Sequence, residues 1–560
     1  MSEREIAELM KKKKTFTSTV GHIAAACELI MKFMKEDDIP RDDMLFIIYN
    51  HQKMQRTKKT FKAVVEFINE GLEMEEMKIE ELRKQSELFK ERYAEYQKLN
   101  TFIQEHNVLK KAQKLLKEEK KKEIGDSSNI EEEEEDDKLL KKKRKPDGEI
   151  PQLKDNSSLN PQQRLYRFCY ICKEHFTINK PHFFYSNLCN KCGTFNYSMR
   201  SIQVDLTGRI ALVTGGRVKI GYAIVTKLLS FGAKVILTTR FPVDCLKRFQ
   251  KEEDYKKWKN NLIIYPIDFR FFESTIKFVK YLNETQPHLD IIINNAAQSI
   301  RRDHNYYKYL LPIESTINQN KNEDEDIIIK NEYVPLKQSN LLPSINMTEI
   351  TKEASLPLSV IASQIPVLPS KKSMANDLPL LFDSNDQPHD FSLEKSSWHY
   401  ELDEIPFEEF IEVQIINAWT PYYFNVALKP LLMKSPFKDK YIINVSSNEG
   451  LFNTHKKSAH PHTNMAKASL NMLTRTCGKY YKNYGIYMTC VDTGWVSSMT
   501  GLSALTSSDK TKRKFEKELV NIPLDEIDGA MRVLHPVIEG VNNKNYLYGC
   551  FLKDYKTGEW

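Results

Sequence analysis

Two constellations in this 560-residue chain have the residue types and the spacing to do chemistry. The first is Cys169-x2-Cys172, then sixteen residues, then Cys189-x2-Cys192, within RFCYICKEHFTINKPHFFYSNLCNKCGTFN. Each C-x2-C turn presents two thiolates to one point, and zinc takes four such soft ligands in a closed tetrahedron. A segment this short has too little core to fold alone, and metal-binding free energy makes up the deficit. His175 and His182 could compete as ligands, but four cysteines already fill the shell. Four thiolates leave no open position for water, so the expected zinc is structural. A redox role for the C-x2-C pairs is the alternative.

The second is HPHTNMAKASLNMLTRT, His460 to Thr476. It reads as the start of a helix, with Lys467 one turn above Thr463 on the same face. A threonine hydroxyl is nearly as weak an acid as water, so Thr463 can hold a hydrogen bond but not supply a proton. His460 and His462 stand just before it, and an imidazole with pKa about 6.5 suits proton transfer at neutral pH. The alternative is that these histidines cap or pack the helix start.

The rest of the chain must position these groups. Hydrophobic residues make up 41% and charged residues 28%, so globular domains alternate with long solvated stretches. The net charge of +7 is small and uneven, and nucleic acid is not an expected partner. Phe183, Phe184 and Tyr185 lie in the cysteine segment without a basic stripe and are expected to pack around the metal. No run of 18 apolar residues occurs, and MSEREIAELMKKKK has charge where a signal peptide needs an apolar stretch. The expectation is a soluble, intracellular chain with reduced cysteines and no membrane partner.

Residues 1–125 are rich in Lys, Glu, Leu, Met and Phe, with apolar residues at three- and four-residue spacing. That predicts a helical bundle or coiled coil serving a homo-oligomer or a protein partner. An acidic block and then a basic one, across 126–165, predict a disordered linker. Within it KKKRK, Lys141 to Lys145, resembles a nuclear-import signal, an alternative to the expected cytoplasmic location. The cysteine segment spans 166–200.

From 201 to 560, short continuous apolar runs alternate with helical patterns: RIALVTGG, KVILTTR, NLIIYPIDF, LDIIINNAA, YIINVSS, IYMTCVDTGW and NYLYGCFL. Such strands belong to a parallel sheet covered on both faces. The expected fold class is α/β, a Rossmann-like doubly wound sheet preceded by the zinc module and the helical region. The helix RVKIGYAIVTKLLSFGA should bury Ile224, Val225, Leu228 and Leu229. Residues 304–396 show little periodicity and are expected to be a largely disordered insertion.

At these residues the chain resembles the short-chain dehydrogenase/reductase family. TGGRVKIG, Thr214 to Gly221, sits where that family has its TGxxxGxG turn, and NNAA, Asn294 to Ala297, where it has NNAG. NVSS brings the family's catalytic serine onto Ser447, IINAW its helix asparagine onto Asn417, and AKA its lysine onto Lys467. DTGWVSS matches the cofactor-closing segment with Gly494, and RVKIG, HPHTNMAKA, VDTGW and FLKDY together resemble an atypical branch. Two residues depart from the pattern. Lys219 replaces the middle glycine of the turn, and Thr463 replaces the catalytic tyrosine.

The resemblance implies a nicotinamide-dependent oxidoreductase moving hydride between the cofactor and a carbonyl or alcohol. Ser447 would bind the substrate oxygen, Lys467 the nicotinamide ribose, and Asn417 a water relay; the proton would come through His462 or that relay. Gly215, Ile220, Gly221, Asn295, Ala296 and Gly494 would shape the cofactor site, and Asp268 would contact the adenine. Lys219 either points away or offers its ammonium to a phosphate. An NAD site needs an acid at the end of the second strand, whereas KVILTTR ends in Arg240 with Arg217 in the glycine turn, so NADP(H) is expected over NAD(H). A dinucleotide-binding scaffold or sensor that has left catalysis behind is the alternative.

Overall fold

The computed structural model describes residues 86–106, 166–177, 182–302, 304–318, 329, 357–364, 380–389, 396–497 and 519–560. The expected linker, KKKRK and most of the expected N-terminal helices lie outside them. The chain divides into two units: of the described residues, 86, 166–177, 182–183 and 187–190 fall in one and the rest in the other. Among the described residues no helix is long and apolar enough to cross a membrane.

From the N-terminal region, α1 (Glu87–His106) is described. Leu88, Phe89, Arg92 and Leu99 are buried at helical spacing. In the smaller unit β1 (Tyr166–Phe168) and β2 (His175–Thr177) pair antiparallel across the first C-x2-C. The helix α2 (Asn190–Met199) begins inside the second C-x2-C and contains Cys192.

The larger unit is built on an eight-stranded sheet in the order β10-β9-β8-β7-β6-β3-β4-β5. Its members are β3 (Ile210–Thr214), β4 (Lys234–Thr239), β5 (Leu262–Pro266), β6 (Ile291–Asn294), β7 (Lys440–Ser446), β8 (Ile486–Asp492), β9 (Phe551–Lys553) and β10 (Lys556–Gly558). All neighbours run parallel except β9 and β10. Strand β3 shows why its run is apolar throughout: Ala211 and Val213 enter one core layer, Ile210 and Leu212 the other.

Helix α3 (Lys219–Ser230) buries Ile224, Val225, Leu228 and Leu229, the face read from the sequence. It follows β3, and α4 (Pro242–Phe249) follows β4. Next come α5 (Phe272–Thr285) and α6 (Phe407–Gln414). The latter continues through a π-helical turn, Ile415–Trp419, into α7 (Thr420–Ala427). Helix α8 (Pro461–Lys482) precedes β8, and α9 (Glu526–Asn543) precedes β9.

The chain winds from β3 outward to β5 and returns to place β6 on the other side of β3. That reversal opens a crevice beyond the carboxyl ends of β3 and β6, where doubly wound sheets bind ligands. One detail departs from the sequence reading. The last run forms a strand only from Phe551, because Gly549 turns the chain with φ 60°. Of the insertion, the described residues form a helical stretch over 304–318, a helix Leu358–Ser363 and a turn across 380–389, and most of the rest of it lies outside the described residues.

Candidate functional site

At the switch point the turn after β3 is shaped by atoms that leave no room for side chains. A Cβ on Gly221 would lie 2.0 Å from the Gly215 carbonyl oxygen and 2.6 Å from Asn295 Nδ2. Gly215 has φ 69° and sits against Ala296. The side-chain amide of Asn295 donates to the carbonyls of Thr214 and Gly215, and the backbone N–H groups of Asn295 and Ala296 donate to Thr214 Oγ1. The NNAA segment thus clamps the turn to the end of β6. Lys219 keeps the left-handed conformation of the glycine it replaces, with φ 54° at the head of α3. A non-glycine residue there stores roughly 1–2 kcal/mol of strain.

Above the turn lies a cavity of about 540 Å³, lined in part by Gly215, Arg217, Lys219, Ile220, Gly221, Arg240, Asp268, Asn295 and Ala296. Its size lies within the roughly 300–1,000 Å³ of ligand pockets. Nine of the eleven expected cofactor residues therefore meet in one place. Gly494 and Lys467 lie outside its lining. Gly494 takes φ 77° beyond β8, its N–H donating to Asp492 Oδ1 at 2.8 Å.

The two arginines differ. Arg217 is buried, with Nη1 2.6 Å from Asp244 Oδ2 and Nη2 donating to Gln387 Oε1 at 3.0 Å. Asp244 also takes Arg248 Nε at 2.7 Å, and burial is more than offset by the two guanidinium groups, which hold its pKa low. Arg217 is thus a brace at the cavity wall. Arg240 is half-buried, its guanidinium 4.4 Å from the Tyr307 ring centre and 5.5 Å from that of Phe241. No hydrogen bond or ion pair engages that guanidinium among the described residues. Asp268 is buried and takes Arg270 Nη2 at 2.9 Å, and that partner holds its carboxyl low against the opposing effect of burial.

Part of the lining comes from outside the doubly wound core. Arg92, Glu95 and Leu99 of α1 border the cavity, as do Asp383, Asn385, Gln387 and His389 of the insertion. Arg92 donates to the Val496 carbonyl at 3.1 Å. Gln387 is held by Arg217, while Asn385 donates to Glu526 and its carbonyl accepts from Arg248. The insertion also supplies Glu314, fully buried, whose two oxygens accept the N–H groups of Val243 and Asp244 at the start of α4. Burial pushes its pKa up to about 7. None of these residues carries a local motif, and only the fold brings them to the site.

The second cluster forms where α8, β7 and the π-helical turn meet. Pro461 opens α8 behind His460, which takes φ 45°. His460 Nδ1 lies 2.6 Å from the Trp398 carbonyl oxygen, and its ring stacks on Trp398 at 4.0 Å, so this histidine packs the helix start. His462 is 1% exposed, with Nε2 3.5 Å from Glu409 Oε1 on α6, and neither ring nitrogen has a hydrogen-bond partner among the described residues. Gln414 donates to the His462 carbonyl at 3.1 Å.

Thr463 is buried, and its Oγ1 likewise has no hydrogen-bond partner among the described residues. Lys467 donates from Nζ to the Val445 carbonyl at 2.8 Å, and burial pushes its pKa down to about 8. Ser447, half-buried, follows the last residue of β7. Asn417, in the π-helical turn, accepts the Gln298 N–H at 2.7 Å and donates to the Gln298 carbonyl at 3.0 Å. A π-turn re-aims side chains within a helix, which is common at functional sites. Gln298 and Ile416 line the cavity, so it reaches the neighbours of Asn417 but not Ser447, Thr463 or Lys467 themselves.

The four cysteine sulfurs, of Cys169, Cys172, Cys189 and Cys192, lie within 4.8 Å of one another, without a histidine in the group. The Cys189 N–H points at Cys169 Sγ at 3.3 Å. The first C-x2-C closes by a hydrogen bond from Lys173 N–H to the Cys169 carbonyl at 3.0 Å, with Lys173 at φ 61°. Zinc–sulfur bonds of about 2.3 Å in a tetrahedron put sulfurs roughly 3.8 Å apart, so this donor set fits that ion.

Comparison with known proteins adds sequence likeness to the geometry. Residues 209–322 match the family model described as short chain dehydrogenase. The chain is 31% identical over 389 residues to uncharacterized protein R665 of Acanthamoeba polyphaga mimivirus, covering 68% of this chain and 73% of that one. It is 34% identical over 96 residues to the short chain dehydrogenase/reductase dpchH of Colletotrichum higginsianum, covering 17% of this chain and 24% of that one. Among solved structures, the Pseudomonas aeruginosa RhlG/NADP active-site complex is 16% identical, with a TM-score of 0.35 over 62% of this chain and 95% of that one.

Proposed function

We propose that the chain is a short-chain dehydrogenase/reductase, an NADP-dependent oxidoreductase acting on a carbonyl or alcohol, a reading supported by the family-model match over 209–322. One observation carries the reading: a cavity at the switch point joins the glycine turn to Arg240, whose guanidinium has no hydrogen bond or ion pair among the described residues. When bound, the nicotinamide cofactor supplies the hydride. The glycine turn lets backbone approach the pyrophosphate at the head of α3, and the Lys219 ammonium adds charge there. Arg240, its guanidinium beside the rings of Phe241 and Tyr307, would take a 2′-phosphate in charge-assisted bonds, with Arg217 as a brace in the cavity wall. Asp268 borders the adenine end.

At the other end Ser447 would donate to the substrate oxygen, Lys467 would hold the nicotinamide ribose, and Thr463 would position substrate or water. Asn417 holds Gln298 in place beside that site. The four cysteines would hold one structural zinc, and the N-terminal helices would serve an oligomer or a protein partner. One observation favours a second reading, a cofactor-binding protein without turnover: the hydroxyl of Thr463 cannot act as the acid that a phenol provides. Titration calorimetry with NADP and NAD, followed by turnover of a carbonyl panel, separates them. Preference for NADP with turnover supports the enzyme; tight binding without turnover supports the second reading.

A further inference from the structure

Resting on the dinucleotide-binding reading, we propose that α1 is a closing leaf of the cofactor cavity and that Arg92 is the positioning residue that latches it. Helix α1 lies outside the doubly wound core, yet its Arg92, Glu95 and Leu99 line the same cavity as the glycine turn and Arg240. Positions 92, 95 and 99 fall on one face of a helix. At 1.5 Å per residue they cover about 10 Å of the cavity wall. All these residues belong to the larger unit.

Arg92 has the geometry of a latch. It is buried, and its Nη2 donates to the Val496 carbonyl at 3.1 Å. Its Nη1 lies 3.5 Å from Glu95 Oε2, and its Nε has no hydrogen-bond partner among the described residues. Val496 is buried as well, and its neighbour Ser497 lines the cavity. Val496 also packs near the start of α9, where a Cβ on Gly529 would lie 3.3 Å from its Cγ2. One guanidinium therefore joins an outlying helix to the segment that follows β8.

Charge explains why a latch is needed. Glu95 on α1, Asp383 in the insertion turn and Glu526 at the head of α9 all border the cavity. Burial, and then those two acids, push the Glu95 carboxyl up, while Arg92 pulls it down. Like charges thus oppose the docking of α1, and the Arg92 cation offsets them. The insertion turn is the fixed wall. It is bonded through Gln387 to Arg217, through the Asn385 and Asp386 carbonyls to Arg248, and through the Asn385 amide to Glu526. Helix α1 is anchored at its start, where the Leu88 N–H donates to the Phe184 carbonyl at 3.1 Å beside buried Phe89. A dinucleotide suits both sides of the closed cavity: its phosphates meet Lys219 and Arg240, and a ribose hydroxyl can donate to Glu95. Release then requires Arg92 to let go of Val496, so α1 sets how long the cofactor stays.

Hydrogen exchange on the full chain, read peptide by peptide with and without NADPH, tests this. Segments that open together exchange together, so NADPH should slow 87–106 and 492–497 in concert, by about 10-fold or more. Arg92→Ala should abolish the slowing at 87–106 and quicken NADPH release in stopped-flow fluorescence by about 10-fold or more. Arg92→Lys keeps a cation and a donor and should recover part of both. If Arg92→Ala does not fold, the exchange pattern of the parent and the release rate of Arg92→Lys decide the matter. Exchange across 87–106 that ignores bound NADPH, or release unchanged in Arg92→Ala, overturns the proposal and leaves the dinucleotide reading standing. A parent chain that binds neither NADPH nor NADH removes both.

Discussion

On the proposed reading, Arg240 and Lys219 would decide most of what the cofactor site discriminates. A guanidinium bonded to a 2′-phosphate contributes roughly 1.5–3 kcal/mol. Arg240→Ala should therefore weaken NADPH binding by about 10- to 150-fold and leave NADH binding within a few-fold, both measured by calorimetry. Equal losses for the two cofactors would show that Arg240 does not read the phosphate. Lys219→Gly separates strain from charge. It removes a left-handed lysine, so thermal stability should hold or rise, while dinucleotide affinity falls several-fold if the ammonium meets the pyrophosphate. Lower stability with unchanged affinity would contradict both parts.

These two residues also show what a sequence can reveal at this scale. Arg240 was legible because it ends a recognisable strand. Lys219 was legible as a departure, but its left-handed backbone was not. Arg217 illustrates the limit, since its partner Asp244 lies 27 positions on and Gln387 lies 170 positions on. His462 is similar: the imidazole is evident in the sequence, whereas its burial against Glu409 depends on how α6 and α8 pack.

The elements follow the apolar pattern closely, because strands buried on both faces have few other ways to be read. The insertion carries no such pattern, and its described parts are held by an apolar cluster of Phe241, Leu310 and Val360 together with polar anchors. Glu314 is the clearest anchor. Its carboxyl caps the head of α4, and its pKa is raised from 4.5 to about 7 by burial. The folded protein then keeps a proton that the unfolded chain releases. The resulting stabilisation is full below pH 4.5 and is lost as pH rises through about 7. Glu314→Gln should flatten the dependence of thermal stability on pH in that window, and a profile unchanged from the parent would show that Glu314 does not titrate there. The turn holding Gln387 is another such anchor. Because it borders the cavity and is bonded to Arg217, Gln387→Ala should speed dinucleotide association and release in stopped-flow fluorescence. Unchanged rates would mean that this turn does not limit entry.

At the scale of the whole molecule, a doubly wound α/β core carries additions, α1 and the insertion, that line the same cavity. Sequence motifs identify the core and the four cysteines, whereas α1 and the insertion reach the cavity through contacts that no motif announces. The cysteine group makes its own prediction: purified protein should carry about one zinc per chain, lost with its local fold in Cys172→Ser. Metal-free protein of equal stability would refute it. The account as a whole rests on hydride transfer. Purified full-length protein, supplied with NADPH and a panel of aldehydes and ketones, should consume the reduced cofactor with at least one of them, faster than with NADH. Tight NADPH binding with no consumption across the panel, together with activity gained in Thr463→Tyr, would contradict the account and mark the chain as a cofactor-binding relative that no longer catalyses.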